Sequence, residues 1–363
     1  MSVAAGESAE SGQPAESGQS GQPAVAAVRG GPLGFVPYHE LGGRPNVIVD
    51  GSPAEGTTLC LTHWPGIDGP PELRADLSAE MAFRYLRTFD RHAPAAAVSN
   101  NHFDQDGLVS VYALAFPHQA VARQRLLVDV ARAGDFATFD QREAARVSMA
   151  VAAYATPGRS PLGALESDYP AMTAQLYEEL LGRLGELCDH PDRYRPVWAE
   201  EDAALSAAEA ALASGKITIE EVPELDLAVV TAGDGSPRAG GHRFGGMWAP
   251  GPHPMALYNA TQRFAVLVIR GHSYEFTFRY ESWVQYQSSR PRPRVDLTGL
   301  AGRLNGEETG PGRWVAEPVS DLTPTLRLDG AEESDIDPLA FRRLLEDHLR
   351  TSPPAWDPYR PDR

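Results

Sequence analysis

Cysteine and lysine are scarce in this sequence, and their scarcity excludes several classes of protein. Cys60 and Cys188 are the only cysteines among 363 residues, too few for a disulfide framework and without the paired spacing of a zinc site. Lys216 is the single lysine, which argues against a lysine-dependent cofactor such as pyridoxal phosphate. Any cofactor chemistry must therefore rest on other side chains.

Long apolar runs and an excess of positive charge are also missing. No run of about 18 apolar residues occurs, and the first thirty residues lack a basic segment followed by an apolar one. We therefore expect no membrane span, no export signal and a cytoplasmic protein. The formal charge of −17 would repel a phosphate backbone, so nonspecific nucleic-acid binding is disfavoured.

What the chain does contain is typical of a globular protein with about two domains. Hydrophobic residues make up 42% and charged residues 22% of the sequence, enough for a buried core. Repeats of ESGQ and GQPA predict a disordered tail over residues 1–31, because ordering them would bury almost nothing. We expect one domain over 32–200, a smaller one over 216–350, a boundary near 200–216 and a frayed tail over 351–363.

The first of these domains has the pattern of a parallel sheet. TTLCLTHW (57–64) and AAAVSNNHF (95–103) are predicted strands, each followed by a predicted helix, over 71–88 and after Asp104. Strand and helix alternating in this way indicate βαβ units. Further helices are predicted over 118–133, 140–155, 170–188 and 198–214. The helix over 140–155 is predicted to begin with a capping box at Asp140 and Glu143.

The second half changes to a strand-like period. Strands are predicted over 216–222, 225–231, 263–270 and 274–286, with a short helix over 297–305. The fold class expected is therefore α/β, with a parallel-sheet N-terminal domain connected through helices to a smaller α+β C-terminal domain.

The strongest local motif is NNHFDQDG (100–107), where a buried strand passes into a helix. Ligands bind at this edge of parallel sheets, because the loops diverge there. Alternation along an extended segment puts His102, Asp104 and Asp106 on one side, a set suited to a divalent cation and to catalysis. The alternative is that the two aspartates only cap the helix.

Two further side chains are candidate metal ligands. His63 ends the other early strand and should open into the same crevice, although a histidine that packs in the core fits the sequence as well. Asp135 ends a predicted helix next to a glycine and is a candidate ligand to a second metal. By contrast, Asp189 and His190 before Pro191 are typical of a helix stop.

An arginine cluster is the candidate substrate anchor. Arg290, Arg292 and Arg294 alternate with prolines in a stiff segment that presents guanidinium groups, and Arg279 can join them from a neighbouring strand. The partner expected is a small anionic substrate, such as a nucleotide; surface salt bridges are the alternative. The glycine-rich stretch 240–246 lacks the spacing and the lysine of a P-loop, and we interpret it as a mobile loop.

FDQDG after an apolar strand and before a helix resembles the first motif of the DHH phosphoesterases. The resemblance implies a parallel-sheet domain with a manganese or magnesium site and a smaller domain that binds substrate. SWVQYQSSRPRPRVDLTGLAGRLNG (282–306) is similar to the strand, arginine loop and short helix of that smaller domain. The D-H-H triplet itself is absent, and GEETGPGRW (306–314) stands where the family has a G-G-G-H segment.

Two classes of function follow. The first is a hydrolase of a phosphoester or phosphoanhydride that depends on Mn²⁺ or Mg²⁺. The second is a non-catalytic ligand-binding or regulatory protein on the same scaffold. Nothing in the sequence specifies the oligomeric state.

Overall fold

The computed structural model describes residues 31–88, 94–233, 235–236 and 251–361, together with the backbone of 242–243 and 246–247. The predicted disordered tail lies outside these residues except for its last position. Most of the predicted mobile loop at 240–246 lies outside them too.

The N-terminal half contains a four-stranded parallel sheet with the order β1-β4-β2-β3. Its central strands are short apolar runs, buried because the sheet is covered on both faces. All the strands point the same way, so their carboxyl ends meet at one edge. The strands are β1 (Gly34–Phe35), β2 (Asn46–Val49), β3 (Thr57–Leu61) and β4 (Ala97–Ser99).

Helices cover this sheet and continue to the boundary region. They share one hydrophobic core with the sheet, in which Leu61, Val98 and Leu108 are fully buried. The helices are α1 (Ser78–Arg87), α2 (Gln105–Ala115), α3 (Pro117–Ala122), α4 (Gln124–Asp135), α5 (Arg142–Tyr154), α6 (Tyr169–Leu181), α7 (Leu184–Asp189) and α8 (Arg195–Ala213).

The capping box predicted at Asp140 and Glu143 is wrong. The helix begins at Arg142 and has no side-chain cap. The carboxylate of Asp129 instead accepts hydrogen bonds from the N–H groups of Asp140 and Gln141, at 2.7–3.1 Å, and so fixes the turn before the helix. A tertiary contact thus takes the place of the local one.

The C-terminal half is built on a six-stranded mixed sheet with the order β12-β13-β10-β9-β6-β5. It has a second hydrophobic core, which includes Phe276, Trp314 and Phe341. The strands and helices are β5 (Ile217–Val222), β6 (Leu227–Ala232), β7 (His242–Arg243), β8 (Gly246–Met247), α9 (Pro254–Asn259), β9 (Ala265–Arg270), β10 (Ser273–Phe278), β11 (Arg294–Val295), α10 (Thr298–Glu307), β12 (Arg313–Ala316), β13 (Thr325–Asp329), α11 (Pro338–Thr351) and β14 (Pro354–Trp356).

This architecture confirms the expected fold class, a parallel sheet joined through helices to a smaller α+β unit. The boundary near 200–216 stays a prediction: α8 runs to Ala213, and β5 begins at Ile217.

Two predictions for the second half are wrong. The strand predicted over 274–286 ends at Phe278 and is followed by a 3-10 helix at Tyr280–Ser282, because Tyr280 and Val284 pack into the core of the N-terminal half. The tail predicted to fray includes a strand at Pro354–Trp356, which pairs with β11.

Candidate metal centre

Three neighbouring parallel strands deliver polar side chains to one edge of the sheet. Asp50 directly follows β2, His63 comes two residues after β3, and His102 comes three residues after β4. Asp104 is the N-cap of α2, Asp106 lies in its first turn, and Asp135 is the last residue of α4. The sequence motifs of separate elements thus converge at the position expected for a ligand site in a parallel sheet.

The first ligand group is formed by Asp50, His63, Asp106 and Asp135, all of them buried. One potential ligand atom from each lies within 4.8 Å of the others. Nε2 of His63 is 3.5 Å from Oδ1 of Asp50, 3.6 Å from Oδ2 of Asp135 and 4.0 Å from Oδ2 of Asp106. Such a set of three carboxylates around one imidazole can hold a divalent cation.

The second ligand group is formed by Asp50, His102 and Asp104. Nε2 of His102 lies 2.9 Å from Oδ2 of Asp104 and 3.3 Å from Oδ2 of Asp50. Asp50 therefore belongs to both groups, with Oδ1 towards His63 and Oδ2 towards His102. A carboxylate placed in this way can bridge two ions.

The ring of His63 is oriented by the backbone behind it. Its Nδ1 lies 2.6 Å from the carbonyl oxygen of Asp76, which only accepts hydrogen bonds, so Nδ1 carries a proton. In the neutral ring Nε2 then carries the lone pair, and Nε2 is the atom that faces the carboxylates. Histidine ligands of metals usually have their second nitrogen held in this manner. His63 thus does more than pack in the core, because its free lone pair is directed at the carboxylates of the first ligand group.

The aspartates of the D-x-D motif both cap helices and belong to the ligand groups. Oδ1 of Asp104 accepts a hydrogen bond from the N–H of Gly107, at 2.8 Å, at the start of α2. The carboxylate of Asp106 accepts from the N–H groups of Ser78 and Ala79, at 2.8 and 2.7 Å, at the start of α1. The prediction that Asp104 caps the helix is therefore correct. Capping does not exclude a role as a metal ligand, because Asp104 also belongs to the second ligand group.

Backbone geometry at Asp50 also marks this edge. Asp50 has a φ of 47°, in the left-handed region that aspartate tolerates better than most residues other than glycine. The next residue, Gly51, lies so close to Asn100 and Asn101 that a Cβ atom there would be 2.8 and 2.2 Å from their Oδ1 atoms. The turn after β2 thus depends on both residue types.

Without a cation, the buried carboxylates of the cluster repel one another, and their charged forms are disfavoured. Burial raises the pKa of Asp50, and the charge of Asp104 raises it further. Burial, with the charges of Asp50 and Asp104, holds the pKa of Asp106 well above its usual range. A bound cation would relieve this repulsion.

His102 and Asp104 form the most strongly coupled pair. Burial lowers the pKa of His102, but the charge of Asp104 and its hydrogen bond outweigh that effect and leave the pKa well above its usual range. Burial raises the pKa of Asp104, yet the charge of His102 brings it below its ordinary value. A proton on His102 would therefore compete with a metal ion for the second ligand group.

Aromatic side chains enclose the cluster. Tyr280 brings its hydroxyl to 3.4 Å from Nε2 of His63. Trp64 packs on His102 with ring centroids 5.3 Å apart, and Trp283 packs on both Trp64 and Tyr280. Burial, with the charge of Asp135, holds the pKa of Tyr280 well above its usual range. His102, with 17% of its side chain exposed, is the most accessible member of the two groups.

A cleft of about 680 Å³ lies between the two halves of the chain, and its lining includes none of the six residues of the ligand groups. Leu77 and Phe136 line the cleft. Leu77 precedes Ser78, whose N–H donates to Asp106, and Phe136 follows Asp135 of the first ligand group. Among the predicted anchors, Arg279, Arg290 and Arg292 line the cleft.

The predicted arginines occupy different environments. Arg290 is exposed, pairs with Asp357 at 3.1 Å and packs over Tyr359. Arg279 is buried and paired with Glu281. The expectation that Arg294 presents its guanidinium is wrong, because the side chain is fully buried. Its donors are occupied by the hydroxyl of Ser282 and by the carbonyls of Arg279, Val319, Asp321 and Leu322.

The Asp189-His190 pair lies outside both ligand groups. Helix α7 ends at Asp189, as its sequence predicts, and the carboxylate pairs with Arg123. Sequence reasoning missed Asp50 and Tyr280. Asp50 had a signal, since Val-Ile-Val-Asp-Gly repeats the pattern of an apolar strand that ends in a polar residue. Tyr280 had none, because its position depends on how the two halves pack.

The comparisons with known proteins establish membership of a family. The model of DUF6687, a family of unknown function, matches residues 32–360, so the chain belongs to that family. No curated protein and no solved structure matches it. Within the part of the chain described, there is no helix of sufficient length and apolar character to cross a membrane.

Proposed function

We propose that this protein is a metal-dependent hydrolase of a phosphoester or phosphoanhydride. The observation that carries the proposal is the pair of ligand groups that share Asp50 at the carboxyl edge of the parallel sheet. Paired metal sites of this kind serve phosphoryl transfer, because two ions about 3.5–4 Å apart can stabilise both the attacking and the leaving oxygen.

The donor set favours a hard or borderline cation. Four carboxylates and two imidazoles supply oxygen and nitrogen, and neither cysteine belongs to a ligand group. Oxygen donors suit Mg²⁺ and Mn²⁺, and the imidazoles shift the preference towards Mn²⁺. Such an ion, when bound, lowers the pKa of a water molecule and polarises a phosphoryl oxygen.

The protein's own residues would hold and orient this chemistry. His63, fixed through Asp76, directs Nε2 into the first group, and Asp50 holds the two groups together. Trp64 packs on His102 and Trp283 packs on Trp64, and the two rings would limit the access of water at this side of the centre. A dry site strengthens the electrostatic interactions inside it.

The resemblance to DHH phosphoesterases supports the same reaction class. The D-x-D motif supplies Asp104 to the second ligand group and Asp106 to the first, and a parallel-sheet half precedes a smaller α+β half. The absence of the D-H-H triplet means that His63 and Asp135 would replace its ligands. The match to DUF6687 adds no activity to this comparison.

The proposed substrate is a small anion, with a nucleotide as the leading candidate. Arg290 and Arg292 are exposed at the cleft, and Phe136, Phe264 and Tyr286 line its wall. Guanidinium groups bind phosphate through charge-assisted hydrogen bonds, and aromatic faces can pack on a base. The volume of about 680 Å³ falls within the range of small-molecule sites.

A non-catalytic ligand-binding protein is the second candidate. One observation favours it: His63 and Asp106 have fully buried side chains, and that of Asp50 is 1% exposed. An ion enclosed so completely can serve structure rather than catalysis.

Metal exchange combined with an activity assay distinguishes these functions. The chain is stripped with a chelator and reloaded with Mn²⁺, Mg²⁺ or Zn²⁺, and its melting temperature and its hydrolysis of bis(p-nitrophenyl) phosphate and ADP are measured. We expect Mn²⁺ to raise the melting temperature and to restore hydrolysis. Stabilisation without turnover favours the binding protein, and no effect of any metal contradicts the hydrolase and leaves the binding or regulatory protein.

A matched pair of variants makes this test specific to the site. His102→Gln removes a ligand of the second group, whereas His190→Gln removes an exposed histidine outside both groups. We expect turnover to be lost in the first variant and retained in the second. Equal activity in both would contradict a catalytic role for the second group.

A further inference from the structure

Residues 76–79, which lead into α1, contact three of the four residues of the first ligand group, and we call them the support segment. None of them belongs to a ligand group itself. Nδ1 of His63 donates to the carbonyl oxygen of Asp76 at 2.6 Å, the Ser78 hydroxyl donates to Oδ1 of Asp50 at 2.8 Å, and the N–H groups of Ser78 and Ala79 donate to the carboxylate of Asp106 at 2.8 and 2.7 Å. The support segment thus positions three potential ligands without occupying a place at the ion.

The carboxylate of Asp76 ties the support segment to the C-terminal half of the chain. Its Oδ1 accepts hydrogen bonds from the N–H groups of Gln287 and Ser288, at 2.6 and 2.8 Å, and its Oδ2 accepts one from the Ser288 hydroxyl. The same C-terminal stretch also bonds to His63, because the N–H of Gln285 donates to its carbonyl oxygen at 2.8 Å. The first ligand group is therefore supported by residues 211 positions further along the chain than Asp76.

These bonds lie at the wall of the cleft rather than in a hydrophobic core. Asp76 and Ser288 both line the cleft. Ser288 is exposed, as is Gln287. Hydrogen bonds at an exposed surface open more readily than those in a core. The support of the centre can therefore be released at this point while the rest of the fold stays intact.

We propose that Asp76 is a positioning residue, whose carboxylate sets the affinity of the first ligand group for its ion by holding the support segment against residues 285–288. This inference rests on the metal centre of the proposed function, and it places that centre under the control of the C-terminal half. When the bonds are made, His63, Asp50 and Asp106 are held in the arrangement described above. When they are broken, the ion must order these side chains as it binds, and that cost lowers its affinity.

The test compares two substitutions of Asp76 by calorimetric titration of the chelator-treated chain with Mn²⁺. Asp76→Ala removes the acceptor of all three bonds, and we expect Mn²⁺ affinity to fall about tenfold, the lower end of the range for groups that support a metal ligand. Asp76→Asn keeps an oxygen for the two N–H groups, and its amide can donate to the Ser288 hydroxyl. Its Mn²⁺ affinity should therefore stay within about threefold of that of the parent, although the charge is lost.

Asp140→Ala is the matched control. The Asp140 carboxylate also lines the cleft and pairs with Arg132 at 3.1 Å, but in the described part of the chain it bonds neither to the support segment nor to residues 285–288. This variant should bind Mn²⁺ as the parent does. If Asp76→Ala does not fold, Ser288→Ala removes the hydroxyl bond at an exposed residue and should lower Mn²⁺ affinity by about threefold.

The outcomes separate this inference from the proposed function. Parent-like Mn²⁺ affinity in Asp76→Ala, or in Ser288→Ala where that variant takes its place, overturns the role of Asp76 and leaves the hydrolase proposal intact. An equal fall in Asp76→Asn or in Asp140→Ala also overturns it, because the loss would then reflect charge rather than position. A parent chain that binds no Mn²⁺ overturns both this inference and the hydrolase. A parent chain that binds Mn²⁺ without turnover overturns the hydrolase alone, and the same affinities still decide the role of Asp76.

Discussion

Replacing Asp50 with asparagine should weaken metal binding strongly without unfolding the chain. Asp50 is the residue common to both ligand groups, so the substitution weakens both at once. Asparagine also tolerates the left-handed backbone at this position. Its side-chain oxygen can still accept the hydrogen bond that the Ser78 hydroxyl donates to Asp50 at 2.8 Å in the parent chain. The metal-free variant should be at least as stable as the parent, since one of several mutually repelling carboxylates is gone.

The size of the effect follows from ligand linkage. At a Mn²⁺ concentration of about 100 times the dissociation constant, binding stabilises the parent by about 2.7 kcal/mol. Loss of a group that only supports a ligand reduces metal affinity by about 10–100-fold, so loss of a shared ligand should reach at least 100-fold. The stabilisation then falls to about 0.4 kcal/mol, a difference of about 5–9 °C in melting temperature.

A thermal melt with and without Mn²⁺ measures this difference, and Asp226→Asn is the control. Asp226 also has a left-handed backbone, with a φ of 52°, and belongs to neither ligand group. The Asp226→Asn variant should keep the full rise in melting temperature on addition of Mn²⁺. If Asp50→Asn responds to Mn²⁺ as strongly as the parent does, Asp50 is not a shared ligand, and the proposed centre is refuted.

Three further predictions concern the same structure. Asp106→Ala should abolish stabilisation by Mn²⁺, and a variant that still responds to Mn²⁺ would contradict the role of Asp106 as a ligand. The variant also loses the hydrogen bonds from the N–H groups at the start of α1. In urea titrations, the free energy of unfolding of its metal-free form should therefore be lower by about 0.5–2 kcal/mol. Mn²⁺ affinity should fall as the pH is lowered from 8 to 6, because the raised pKa values of His102 and Asp106 make protons compete with the ion. The fall should be up to about tenfold per pH unit for each proton that the ion displaces. Calorimetric affinities that do not change with pH would contradict this prediction. Arg294→Ala should destabilise the chain by about 3 kcal/mol or more, because it removes a fully buried side chain together with its hydrogen bonds to Ser282 and to four backbone carbonyls. Arg290→Ala should change stability by less than about 0.5 kcal/mol, because Arg290 is exposed. Equal denaturation midpoints for the two variants would contradict the structural role of Arg294.

The pH dependence of the metal-free chain should have the opposite sign. The folded-state pKa values of His102 and Asp106 lie above their ordinary values. Their contribution to stability is therefore full at low pH and is lost as the pH rises through those raised values. The melting temperatures with and without Mn²⁺ should accordingly move apart as the pH increases.

The sequence predicted the parts of the fold that depend on local pattern. The apolar runs before His63 and Asn100 marked two strands of the parallel sheet, and FDQDG marked the start of α2. Strand β2 was missed, although its apolar run also ends in a polar residue, and with it Asp50 was missed. The bend after Phe278 could not be predicted, because the apolar residues that follow resemble a strand but pack against the other half of the chain.

The candidate site shows the same division. Single motifs identified individual side chains, but no spacing indicated that Asp50 would lie between the two histidines. The arginine segment misled for a related reason. Alternation with proline predicts an extended chain, but it does not indicate which guanidinium turns inward. Arg294 is the one that does, and it donates to the carbonyls of Val319 and Asp321.

The bonds between Asp76, His63 and residues 285–288 also have a consequence for the order in which the protein matures. The chain is synthesised from its N-terminus, so the residues of both ligand groups leave the ribosome long before Gln285 and Ser288. Until those residues arrive, the carboxylate of Asp76 and the carbonyl of His63 lack the N–H groups that hold them, and Tyr280 has not yet closed over the first core. An ion held by this centre would therefore be enclosed late, and a nascent chain halted near residue 216 would expose the two ligand groups without the bonds that hold them.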